Sequence, residues 1–145
     1  MIVIDQGRID ALLLFYETLT PDRVQDFGFY YAENAYFKDP FNEVTRIEDI
    51  RQIFARMFRQ LADPHFVVHE KIGDGTGLFL VWDMSFRLRS WKPQLLRVIH
   101  GVSHLRFDDE GKVTYHRDYW DTGEELYAKL PLIGGAVRFL RRAMG

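Results

Sequence analysis

The chain predicts an α+β domain in which N-terminal helices cover one face of a curved, mainly antiparallel sheet and enclose a cone-shaped cavity. Three observations carry this. Helical periodicity dominates the N-terminal part, clean β alternation runs through residues 65–120, and turn chemistry separates the runs. The first helix covers residues 9–19, with Ile9, Leu12, Leu13 and Tyr16 at helical spacing. Thr20 followed by Pro21 is a cap and first-turn pair for a second helix, which would carry Val24, Phe27, Gly28, Tyr30 and Tyr31. Residues 34–38 read as a short strand, because Ala35 and Phe37 alternate with Tyr36 and Lys38 before Asp39-Pro40 breaks the run. The clearest helix covers residues 47–61. Ile47, Ile50, Ile53, Phe54, Met57, Phe58 and Leu61 hold one face, Arg51, Arg56, Arg59 and Gln60 the other, and Asp63-Pro64 is expected to end it.

Strands follow. Residues 65–72 form the first, Gly73-Asp74-Gly75 with Gly77 turns the chain, and residues 78–89 form a long second strand. Trp82, Met84, Phe86 and Leu88 share one face of it, Asp83, Ser85, Arg87 and Arg89 the other, as a sheet with one covered and one wet face requires. Trp91-Lys92-Pro93 turns the chain again, residues 95–107 run back, residues 108–111 turn, and residues 113–120 close the sheet. A helix is expected over residues 122–130, with Glu124 and Glu125 in its first turn, then a break at Pro131 and a basic amphipathic tail over residues 132–145. No repeat or linker divides the 145 residues, so we expect one domain over 1–145.

Composition narrows the function classes. With 47% hydrophobic and 28% charged residues the chain can bury a core. Nineteen Lys and Arg against 21 Asp and Glu leave a net charge of -2 with no basic block before the tail, which argues against nucleic acid as a partner. The absence of cysteine excludes disulfides, thiolate metal sites and a cysteine nucleophile. The first residues lack a basic leader region and no uncharged run is longer than residues 75–82, too short to span a bilayer, so a cytoplasmic location is expected. His65 and His69 share a strand face but stand about 13 Å apart, and no third ligand is evident, so no metal and no cofactor is expected.

Three local runs, in this order and spacing, carry a resemblance. They are Ala35-Tyr36-Phe37-Lys38-Asp39-Pro40, Val102-Ser103-His104-Leu105-Arg106-Phe107, and His116-Arg117-Asp118-Tyr119-Trp120-Asp121. With the element order over residues 9–120, they resemble the nuclear transport factor two-like superfamily, which includes ketosteroid isomerases, limonene epoxide hydrolases and SnoaL-like polyketide cyclases. Because that fold hosts many chemistries, the resemblance speaks first to architecture. By resemblance to ketosteroid isomerase, Asp39 matches the proton-moving carboxylate and Tyr16 falls near the oxyanion-binding tyrosine. Ser103 stands where that enzyme has a protonated aspartic acid, a departure that weakens a steroid assignment. By resemblance to the cyclases, His116 and Asp118 supply an imidazole and a carboxylate facing the cavity, with His104 as a second candidate imidazole.

Strand alternation puts His116, Asp118 and Trp120 on one face, with His116 and Asp118 about 7 Å apart along the chain. The chemistry these residues support is proton abstraction next to a carbonyl of a small apolar substrate, with the enolate stabilised by Tyr16, Ser103 or His116. Trp82, Met84, Phe86 and Trp120 would line the pocket. Arg97 shares parity with Ser103 and would complete a water-activating set with Asp39 and Asp118, by resemblance to the epoxide hydrolases. A non-catalytic reading stands beside this one. Asp39 before Pro40 is also an ordinary turn residue, His116 and Asp118 also suit a structural polar pair, and Tyr16 lies on an apolar helix stripe. The wet face, with Asp83, Ser85, Arg87, Arg89, His100, Val102, His104 and Arg106, is the expected homodimer surface. The tail is expected to pack over the cone or a partner subunit rather than lie on a membrane.

Overall fold

In the computed structural model the residues described are 5–73, 77–89, 92–121 and 143. The expected helix over 122–130 and, residue 143 apart, the tail over 132–145 lie outside them. Helix α1 (Gln6–Glu17) buries Leu12, Phe15 and Tyr16. A 3-10 helix (Asp22–Phe29) follows and buries Val24 and Phe27. It stops there because the Tyr30 N–H returns to the Phe27 carbonyl (3.0 Å) while the Tyr30 carbonyl accepts from the Val113 N–H (2.8 Å). Tyr31, expected on that helix, therefore opens strand β1 (Tyr31–Lys38) instead.

Strand β2 (Glu43–Val44) pairs back on β1, a short hairpin that no periodicity announced. Helix α2 (Ile47–Gln60) turns Ile50 and Phe54 into the core, with Glu48 and Asp49 in its first turn and Arg59 in its last, each favourable to the helix dipole. Four strands complete the sheet: β3 (Leu61–Gly73), β4 (Leu78–Leu88), β5 (Arg97–Phe107) and β6 (Val113–Tyr119). Asp63-Pro64 does not separate α2 from β3. It lies inside β3, where Asp63 takes φ 51° and the register with β4 shifts between Ala62 and His65. A bulge is where a strand tolerates a residue lacking an N–H.

The sheet order is β2-β1-β6-β5-β4-β3. Only β1 and β6 run parallel. The inner face carries Leu80, Trp82, Met84, Phe86, Ile99 and Leu105, all buried. Aromatic rings from the helices close on it: Phe27 stands 5.0 Å edge-on to Phe15 and 4.8 Å from Phe54. Burial of each such ring contributes about 1.5–3 kcal/mol. No helix among the described residues is long and apolar enough to cross a membrane.

Candidate functional site

Between α1, α2 and the inner face of the sheet lies a cavity of about 30 Å³, walled by Tyr16, Phe54, Phe66, Trp82, His116 and Asp118 among others. A single line of hydrogen bonds runs along one wall. The Trp82 Nε1–H donates to Ser103 Oγ (2.8 Å), and the Ser103 hydroxyl donates to Asp118 Oδ1 (2.5 Å). His116 Nε2 meets the same Oδ1 at 2.6 Å. On the far side of the imidazole, Nδ1 is 2.6 Å from the Tyr31 hydroxyl, which lies 2.5 Å from that of Tyr16.

Each link follows from strand register. Ser103 on β5 is directly opposite Asp118 on β6, and Gly101 is opposite Trp82. Gly101 has no Cβ because the indole lies on it: a Cβ there would fall 2.5 Å from Trp82 Cζ2. His116 and Asp118 alternate onto the same face of β6, and their side chains lean together, closing the 7 Å backbone spacing to a direct bond. Ser103 and His116 retain 5% and 4% of their exposure, whereas the Asp118 side chain keeps 16% and lines the cavity. Neither Ser103 nor His116 bonds to Asp118 Oδ2. Burial pushes the Tyr16 and Tyr31 phenols well above the ordinary tyrosine range, so both keep their protons.

The structure brings together Tyr16, Trp82, Ser103, His116 and Asp118 from the expected set and separates the rest. Asp39 sits in the turn between β1 and β2, where Oδ1 accepts from the Phe41 N–H (2.8 Å), the Asn42 N–H (2.7 Å) and the Asn42 amide (3.1 Å). It lines an outer groove of about 470 Å³ with Lys38, Arg117 and Trp120, a groove that also reaches Asp118. Trp120 lies past the end of β6 and packs edge-on to Phe41 at 5.7 Å rather than facing the cavity. Met84 and Phe86 are buried core farther along β4 than the cavity. Arg97 stands opposite Phe86 at the start of β5, about 20 Å along the strand from Ser103. It therefore cannot join a set with Asp118. His104 is on the outer face, stacked on Phe79 at 4.5 Å. Tyr31 is the site residue that sequence reasoning missed; its shared parity with Ala35 and Phe37 was the available signal. Among the described residues no group of His, Asp and Glu converges as a metal site.

The family model of the SnoaL-like domain matches residues 12–116, from the second half of α1 to His116 of the hydrogen-bonded line. The chain belongs to the SnoaL-like family. Solved structures share its nuclear transport factor two-like fold. A Catenulispora acidiphila protein with a ketosteroid isomerase-like fold, in complex with trimethylamine, aligns at TM-score 0.71 and 16% identity, covering 87% of this chain and 95% of that one. An LEH-like epoxide hydrolase from M. tuberculosis aligns at TM-score 0.65 and 14% identity, covering 94% of each chain. A proposed SnoaL-like polyketide cyclase from Shewanella denitrificans aligns at TM-score 0.67 and 18% identity, over 86% of this chain and 100% of that one. No curated protein matches. At these identities the likeness concerns the fold.

Proposed function

We propose that this SnoaL-like domain binds a small, mostly apolar molecule in the Tyr16–Trp82–Asp118 cavity and moves a proton on it, as an isomerase, cyclase or dehydratase does. The observation that carries the reading is the unbroken hydrogen-bonded line from Trp82 to Tyr16, whose two ends border one apolar cavity. Asp118 Oδ2 removes a proton from the carbon next to a carbonyl. The C–H bond breaks, an O–H bond forms on the carboxylate, and the electron pair moves onto the carbonyl oxygen, which the Tyr16 hydroxyl stabilises. His116 and Ser103 hold Asp118 in place. Asp39 takes the turn role rather than the base role, since its carboxylate already accepts several donors there. The small-molecule reading is in keeping with the trimethylamine in the Catenulispora relative.

The test is deuterium exchange, followed by NMR, at the carbons flanking the carbonyl of ketones small enough for the cavity. The wild-type chain should exceed buffer, and Asp118→Asn should lose about 100-fold or more of the excess. Bound ketone without exchange would move the assignment to a second reading, a non-catalytic ligand-binding or dimerisation module. One observation favours that alternative: the cavity holds only about 30 Å³ and its polar groups already bond one another. In either case we propose a homodimer through the outer face of the sheet, which light scattering across a dilution series would check.

A further inference from the structure

The line of hydrogen bonds has a direction, and proton counting fixes it. Trp82 can only donate, so Ser103 must pass its own hydrogen to Asp118. When the His116–Asp118 pair carries its net negative charge, the imidazole has one hydrogen, and the 2.6 Å bond to the carboxylate requires it on Nε2. Nδ1 is then an acceptor. Tyr31 must donate to Nδ1, and Tyr16 must donate to Tyr31. Every polar hydrogen of the described cavity wall, on Tyr16, Trp82, Ser103 and His116, is thereby used. The cavity is offered acceptors alone: the Tyr16 lone pairs and Asp118 Oδ2. If the imidazole gains a proton, Nδ1 carries a hydrogen and donates to Tyr31. Tyr31, buried to 1% exposure, then has Tyr16 as its acceptor, and the Tyr16 hydrogen is released toward the cavity.

We infer that Tyr31 and His116 form a reversing relay that makes Tyr16 a hydrogen-bond donor only when the His116 imidazole carries hydrogens on both ring nitrogens. This rests on the ligand-site reading above and deepens it. In the ground state the site selects a ligand that brings hydrogens, such as an alkylammonium. A proton taken from a carbonyl compound by Asp118 Oδ2 leaves the His116 Nε2 bond to Oδ1 in place, so Tyr16 donates to the oxyanion in the form whose imidazole is already doubly protonated. Tyr31 and His116 are positioning residues in this relay, and Tyr16 is the group that touches the ligand. The groups facing His116 are few: Tyr31 and Phe37 from β1, Tyr16 from α1, and Asp118 on its own strand, with Ser103 of β5 reaching it through Asp118. Among the described residues Asp118 is the one charged side chain bonded to His116.

Two probes of matched skeleton separate the states: acetone, which only accepts, and isopropylammonium, which only donates. Each is titrated into the full chain across a pH series, read by NMR at the Tyr16 and Trp82 rings, with the midpoint of the pair taken from the His116 imidazole signals. Acetone affinity should be level below the midpoint and fall about tenfold per pH unit above it, the slope of one linked proton. Isopropylammonium should rise through the same midpoint and level off. Charge attraction alone would give the second trend but not the first, so acetone decides. In Tyr31→Phe the relay is cut, Tyr16 donates at any pH, and the acetone slope should vanish while the isopropylammonium trend stays. Acetone seated at Tyr16 with no pH slope in the wild type, or a slope kept in Tyr31→Phe, would overturn the relay and leave the ligand site standing. No response at Tyr16 or Trp82 to either probe would overturn the ligand site and the relay with it.

Discussion

The sheet carries two carboxylates that each hold histidine, and they sit on opposite faces. On the inner face Asp118 meets His116 at 2.6 Å, with Ser103 on the same oxygen and Tyr31 beyond the ring. On the outer face Asp83, next to Trp82 on β4, is bracketed by His69 of β3 at 2.8 Å and by His100 of β5 directly opposite it. The residue types are the same, although His116 shares a strand with Asp118 while His69 and His100 reach Asp83 from neighbouring strands, and the solvent differs. The His116 and Asp118 side chains keep 5% and 16% of their exposure, while His100 and His69 keep 66% and 49%. Water competes for every bond of the outer cluster and screens its charges, whereas the inner line must satisfy itself. The same contact is therefore a surface ornament on one face and a condition of folding on the other.

The largest expected effect comes from deleting the imidazole of each cluster. His116→Ala leaves a buried carboxylate and a buried phenol short of a partner and should cost about 3 kcal/mol in urea unfolding. His100→Ala, measured on protein diluted to the single chain, removes an exposed pair member and should cost under about 1 kcal/mol. Equal losses would break the comparison, because burial would then not be what separates the two faces.

Gly101→Ala sharpens it next. The new Cβ would press on the Trp82 indole, whose Cζ2 and Cζ3 would lie 2.5 and 2.9 Å away. Overpacking of this kind costs about 1–3 kcal/mol. The displaced indole should also lose its bond to Ser103, visible as a shift of the Trp82 N–H proton resonance. An unmoved resonance would mean that the glycine does not position the start of the inner line. The matching outer-face change, Val102→Ala on the half-exposed neighbour, should leave that resonance in place.

The contrast between the faces was legible in part. Alternation on β4 separated Trp82 from Asp83 and set Ser103 away from the wet face, while parity put His116 and Asp118 on one face that the resemblance turned inward. Alternation gives a face but not a level along the strand. Met84, Phe86 and Arg97 share the inner parity yet stand too far along β4 and β5 to reach Asp118. Asp39 was drawn toward the cavity by resemblance, but local donors in its own turn hold it first. Tyr31 was hidden for a different reason. The helix before it ends because Tyr30 bonds to Val113, a partner distant in sequence that no local periodicity contains. Side-chain lean, which closed the His116–Asp118 gap, is likewise invisible to spacing counted along the backbone.

The smallest effect is the response of the outer cluster to acid. Hydrogen bonding to His69 holds the Asp83 carboxyl below its ordinary value of 3.8; desolvation opposes this, and the bond to His100 adds to it. A carboxyl whose value is depressed by folding stabilises the native state above its unfolded value and loses that contribution as pH falls through the lower folded value. The loss should therefore begin near pH 3.8 and continue below it, and in protein diluted to the single chain it should be shallow, because there Asp83 and both histidines are open to water. Asp83→Asn removes the titrating group. Its stability, measured against wild type in urea at successive pH values, should differ by an amount that shrinks below pH 3.8 and also shrinks at about 1 M salt, where the screening length is near 3 Å. A difference that persists in acid or high salt would show the outer cluster acting through packing rather than charge, and it would place Asp83 closer in kind to Asp118 than its exposure suggests.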